Sequence, residues 1–141
     1  MTRDEISQFL AGRDKKWQRH DSAALAEDHN EDGMVDSPFF GHISGRIALQ
    51  DHYSQWFSSF PDAAYTLEQL VIDGNRAVQI IKMTGTQEGD FCGLQPTGKR
   101  FEMRCAFFFS FAGDGIANEI RIYDLTGILL QLGVLRAKPA F

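Results

Sequence analysis

A chain of 141 residues, 43% of them hydrophobic, suits one domain around one core, and twelve phenylalanines give that core its bulk. A formal charge of −5 with no block of lysines argues against nucleic acid or an anionic membrane surface as partner. No apolar run approaches a membrane span, the polar start Met1–Glu5 is unlike a signal sequence, and the two isolated cysteines, Cys92 and Cys105, fit unpaired thiols in the cytoplasm. Ile6, Phe9, Leu10 and Trp17 follow helical spacing, which predicts an amphipathic helix over residues 4–18. Asp21 or Ser22 caps a short second helix, Ala23 to His29, before a turn at Asn30-Glu31-Asp32-Gly33. Met34–Ser37 reads as a short strand ended by Pro38, and Phe39–Gly45 as a loop with room for a brief strand pair. Residues 46–60 form the clearest helix, with Leu49, Tyr53, Trp56, Phe57 and Phe60 on one apolar face.

After Pro61 the period changes from helix to strand. Tyr65–Ile72 is a strand, Asp73-Gly74-Asn75 a hairpin turn, and Arg76–Gln87 a long strand. A connection containing Gly and Pro, residues 89–99, leads to a second long strand, Arg100–Phe111. Helices first and an antiparallel meander after them indicate an α+β fold, with helices on one face of a curved sheet. On Arg100–Phe111 every odd position is apolar, so Phe101, Met103, Cys105, Phe107, Phe109 and Phe111 should meet the helices. The even face mixes Glu102, Arg104 and Ser110 with Ala106 and Phe108, which suggests a sheet-to-sheet homodimer contact. Glu102 and Arg104 themselves read as a surface or dimer pair. On Arg76–Gln87 the odd positions are taken as inward, which turns Gln79 to the interior.

The last strand alternates Ile120 and Ile122 with Glu119, Arg121 and Tyr123, and the apolar parity is taken as the inner one. Asp124 then falls on the same side as the two isoleucines. A carboxylate there needs a reason, because burying a charge is costly. Two explanations stand open: a cap for a helix starting near Leu125, or a carboxylate in an apolar pocket with a raised pKa, poised to move protons.

Three segments carry a resemblance to a known family. They are Gly45-Arg46-Ile47-Ala48-Leu49 opening a helix that closes at Phe60-Pro61-Asp62, Thr84–Gly89 continuing through Leu94–Arg100, and Tyr123-Asp124 leading to Gln131-Leu132-Gly133. In order and spacing the chain resembles the SnoaL-like polyketide cyclases (ester cyclases), part of the superfamily named for nuclear transport factor 2. The resemblance implies a cone-shaped α+β barrel of bent, mainly antiparallel sheet around a long helix, enclosing an apolar pocket. It also implies a cofactor-free cyclase or isomerase-type enzyme in which Asp124 takes an α-proton and the enolate closes a ring. Its partner would be a small hydrophobic molecule. The chain departs from the family pattern in two places. Its histidines (His20, His29, His42, His52) all lie in the helical half, with Gln87 where many relatives have His, and Ser37 stands where an isomerase-type base would sit.

The other constellations are plainer. The histidines show no metal-binding spacing, and His52 beside Asp51 reads as a surface residue. Trp17, Tyr53, Trp56, Phe91 and Phe107 are core by default. Trp17 and Tyr53 are the best candidates to line the pocket as well, with Gln79, Phe107 and Phe40 beside them as substrate-binding residues. Phe39-Phe40 after Pro38 reads as a rim over the cavity mouth. Two other functions stay open: a non-catalytic module holding a hydrophobic metabolite, and epoxide hydrolysis or dehydration with Gln79 or Asp36 holding a water beside Asp124.

Overall fold

In the computed structural model, which describes residues 1–136, the elements follow the predicted order. They are α1 (Arg3–Gln18), α2 (Ser22–Glu27), β1 (His29–Ser37), β2 (Gly41–Ser44), α3 (Arg46–Ser59), β3 (Ala64–Asp73), β4 (Arg76–Thr86), β5 (Arg100–Ala112), β6 (Gly115–Ile122) and α4 (Leu125–Gln131). Local chemistry sets several boundaries. Thr2 and Glu5 form a reciprocal capping box at the start of α1, and Asp21 caps α2 through the Ala24 amide. Gly74 takes φ +59° in the tight turn that joins β3 to β4.

Among the described residues the six strands form one mixed sheet in the order β2-β1-β6-β5-β4-β3. Only β1 and β6 run parallel; the other neighbours are antiparallel. The four helices and this sheet make the α+β cone expected from the sequence. Register shifts in the β1–β6, β3–β4 and β5–β6 pairs let the strands bend around the helices.

One strand extends well beyond its predicted bounds. β1 begins at His29, through the residues read as a turn, because His29 pairs with Ile116 of β6 and the pairing resumes, after a register shift, at Met34. That partner is distant in sequence, so no local signal announces it. The connection after β4 keeps the irregular form expected of it and is tied down by Gln87. This residue is fully buried, with its amide donating to the Leu94 and Gln95 carbonyls and its oxygen accepting from Thr97.

The core lies between the helices and the inner sheet face. All six odd positions of β5 are buried, as are Ala77, Gln79, Ile81 and Met83 of β4. Gly85 of β4 makes room for Phe60, the C-cap of α3: a Cβ there would stand 3.1 Å from both the Phe60 and Phe101 side chains. This contact holds the end of α3 down on the sheet, and α3 carries one wall of the site.

Candidate active site

Strand pairing decides which way β6 faces. Phe107 pairs with Arg121 and Phe109 with Glu119, and paired residues share a face, so the buried phenylalanines bring both charged side chains inward. Glu119 is fully buried and Arg121 is 7% exposed, whereas Ile120 and Ile122 are 38% and 63% exposed. The predicted parity of this strand is therefore inverted. The sequence alternates as expected, but its polar face is the inner one.

Two helices bring partners to that face. Arg13 stands between Leu10 and Trp17 on the buried side of α1, and His52 and Tyr53 stand between Leu49 and Trp56 on that of α3. The Glu119 carboxylate receives the Arg121 Nε–H on one oxygen and the Arg13 guanidinium at 3.4 Å on the other. The Tyr53 hydroxyl accepts from Arg13 at 2.6 Å and from Arg121 at 3.0 Å, and donates to His29 Nε2 at 2.8 Å. Arg121 Nη1 donates to His52 Nε2 at 2.9 Å. Arg13 also meets Asp28 at 3.1 Å, and Lys16 meets the other Asp28 oxygen at 2.6 Å.

Burial and these contacts fix the charge states. Burial alone would raise the Glu119 carboxyl, but Arg121 and Arg13 outweigh it and hold it down at about 2. Burial, reinforced by the neighbouring guanidinium groups, pushes His29 and His52 down to about 3. Both imidazoles are neutral at ordinary pH. Because Arg121 can only donate, His52 Nε2 is an acceptor and the proton sits on Nδ1.

A cavity of about 30 Å³, enough for one or two water molecules, opens between α3 and the inner sheet face. Trp17, Phe40, Trp56, Met83, Met103 and Phe107 supply its apolar lining. Its polar edge is His52, Arg121, Cys105 and the hydrogen-bonded pair Ser37 and Tyr123, whose hydroxyls are 2.8 Å apart. The Arg121 guanidinium lies 5.3 Å from the Phe107 ring centre and 5.9 Å from that of Trp17, within cation–π range. Three lining side chains carry a buried nitrogen with no hydrogen-bond partner among the described residues: Trp17 Nε1, His52 Nδ1 and Trp56 Nε1. A second, larger cavity of about 240 Å³ lies against the first, and Phe40 and Trp56 line both.

The predicted site residues divide. Trp17, Phe40 and Phe107 line the cavity, with Phe40 half-buried between the two chambers. Tyr53 is fully buried behind Arg121 rather than on the cavity wall. Gln79 faces inward as expected, but it is taken up by Tyr65 and Asp14 and does not reach the cavity. Asp124 is exposed, caps α4 by accepting from the Gly127 amide at 2.9 Å, and lies outside the lining. Of the two explanations the cap is the one observed, because β6 ends at Ile122 and the outward parity carries on past it.

His52, read as a surface residue, is 6% exposed and part of the site. Arg104 pairs with Glu68 at 2.8 Å and Glu102 with Lys82, so the two expected partners each bind elsewhere on the outer face. Cys92 and Cys105 are both free. Among the described residues no three His, Cys, Asp or Glu side chains gather to hold a metal, and no helix is long and apolar enough to cross a membrane.

The sequence held signals for the missed residues. Arg13 completes a buried stripe with Ile6, Leu10 and Trp17, and His52 lies three residues from Leu49 and four from Trp56.

The family model for SnoaL-like polyketide cyclases matches residues 9–132. Similar solved structures include TsrD from Streptomyces laurentii, with 24% identity, TM-score 0.84, and 96% of this chain and 99% of that one covered. AclR from Streptomyces galilaeus, a candidate hydroxylase, has 20% identity and TM-score 0.84 over 99% of this chain and 91% of its own. IdmH from Streptomyces antibioticus, a candidate polyketide cyclase, has 26% identity and TM-score 0.73 over 90% and 97%. Comparison with curated proteins gives no match.

Proposed function

The chain belongs to the SnoaL-like polyketide cyclase family, and from that premise we propose that it closes a ring in a hydrophobic carbonyl compound by an intramolecular aldol-type step, without a cofactor. The observation that carries this reading is the position of Arg121 and His52 at the edge of an otherwise apolar cavity. A methylene beside a carbonyl loses a proton to water, and its electron pair moves onto the carbonyl oxygen. The enolate carbon then attacks a second carbonyl of the same molecule. One carbon–carbon bond forms, and the second oxygen takes up a proton.

Negative charge develops on oxygen in both steps. Fixed donors in a water-poor site stabilise such charge far better than water does. Arg121 supplies a permanent cation, already oriented by Glu119, His52 and Tyr53. His52, neutral and with its proton on Nδ1, serves as a hydrogen-bond donor to the carbonyl rather than as the base. The aromatic lining excludes bulk water and folds the chain of the substrate so that its ends meet. The exposed cap position of Asp124 supports giving the proton to water rather than to that carboxylate. The cavity is small as it stands, and Phe40, shared with the larger chamber, is the side chain whose movement would enlarge it.

The test is incubation with linear poly-β-carbonyl esters, followed by mass spectrometry and NMR. The expected product is a cyclic isomer, or that isomer less one water, formed faster than in buffer. His52→Phe, checked for folding by circular dichroism, should lower the rate by a factor on the order of 100 to 1,000. Compounds that bind but never turn over would instead favour the non-catalytic binding module.

A further inference from the structure

The buried polar cluster sets two arginines, Arg13 and Arg121, against two carboxylates, Asp28 and Glu119, with the half-buried Lys16 reaching Asp28 from the solvent side. Asp28 is shared by Arg13 and Lys16, and Glu119 by Arg13 and Arg121. His29 and His52 are neutral, and burial raises the Tyr53 phenol and keeps it protonated. Asp14, the next carboxyl group, is held by Gln79 and Tyr65. On the cavity wall itself the Cys105 thiol is pushed up to about 12 by burial and stays uncharged. Among the described residues no carboxylate lines the cavity.

The wall therefore presents one guanidinium and three unpartnered nitrogens, at Trp17, His52 and Trp56, the side chains of which are each more than nine-tenths buried. All three nitrogens are donors: the indoles have no other form, and the Arg121 contact fixes the His52 proton on Nδ1. Buried donors without an acceptor are unfavourable, and a guanidinium beside them favours an acceptor that is anionic. We propose that the cavity binds its ligand through a delocalised oxyanion, carboxylate or enolate, set against Arg121, His52 and the indole N–H groups of Trp17 and Trp56. The inference rests on this cavity being the functional site, but not on ring closure. A neutral amide of the same shape brings no charge to set against Arg121, and its NH₂ cannot accept from the three donor nitrogens.

The chain has two tryptophans, both in the cavity wall, so their indole N–H resonances report on it directly. The intact protein is titrated with benzoate and with benzamide at matched ionic strength, and the ionisation of benzoylacetone is followed by ultraviolet absorbance with and without protein. The expected results are that benzoate shifts both indole signals and binds about tenfold tighter than benzamide, and that the apparent pKa of benzoylacetone falls by about one unit or more. A response to benzoate alone identifies a carboxylate ligand, and a response of benzoylacetone alone an enolate. Trp56→Phe should weaken benzoate several-fold and leave benzamide unchanged. Equal binding of acid and amide with no change in benzoylacetone, or no indole response to benzoate and none to benzoylacetone, overturns the proposal. Anion binding without turnover of the carbonyl esters would retire the cyclase reading and leave this one standing. Turnover without anion preference would do the reverse.

Discussion

Glu119 accepts from two arginines deep in the core, and the surrounding histidines stay neutral because burial, and then the guanidinium groups, oppose their protonation. This arrangement makes stability depend on pH in a definite direction. His29 and His52 have folded pKa values near 3, far below their ordinary 6.5. Below pH 6.5 the unfolded chain binds protons that the folded chain refuses, so stability is complete above that pH and falls as pH drops toward 3. Glu119, depressed from 4.5 to about 2, adds a loss of the same sign below pH 4.5. Each histidine contributes about 1.4 kcal/mol per pH unit within its window. Urea unfolding should therefore give a nearly flat free energy near pH 7 to 8 and a loss of about 2 kcal/mol between pH 6.5 and 5.5. A profile flat down to pH 5 would mean that the imidazoles take up protons in the folded state. At this scale the sequence misled in a specific way. Ile120 and Ile122 are more hydrophobic than Glu119 and Arg121, so hydrophobicity alone chose the wrong inner face. Only the pairing with Phe107 and Phe109 reverses the choice.

At the scale of elements, α1, α3 and the long strands were legible almost to the residue, because their periodicities are strong and Pro, Gly and Asp mark their ends. The first half of β1 was not, since Asn30-Glu31-Asp32-Gly33 has turn chemistry and is carried in the strand between two paired residues, His29 and Met34, whose β6 partners are distant in sequence. The α4 cap shows how an element claims a residue that function seemed to need. Asp124 closes the first turn of a seven-residue helix that packs Ile128 into the core. Asp124→Ala should cost about 0.5 to 2 kcal/mol in a thermal or denaturant melt and leave benzoate binding as it was. Unchanged stability with loss of cavity binding would contradict the cap assignment.

Over the whole molecule, one face of the sheet is covered by helices and the other carries an apolar row in the open. Val71, Val78, Phe108 and Ile120 are neighbours across β3, β4, β5 and β6, and Val71 is 60% exposed. Ile122, Ala106 and Ile80 form a second row beside it. Ion pairs such as Glu68 with Arg104 flank these rows. A second copy of the chain is the proposed cover, as expected from Ala106 and Phe108 in the sequence. Sedimentation at micromolar concentration should give a dimer, and Phe108→Glu a monomer with unaltered circular dichroism. A monomeric wild type would refute this. The central claim is that chemistry resides at Arg121 and His52 inside the cavity and not at Asp124 outside it. The most direct measurement is the rate of ring closure by Asp124→Asn and His52→Phe in parallel, on the same poly-β-carbonyl ester. The expected rates are within about threefold of wild type for Asp124→Asn and lower by on the order of 100-fold or more for His52→Phe. The reverse pattern, with Asp124→Asn inactive and His52→Phe active, would contradict it.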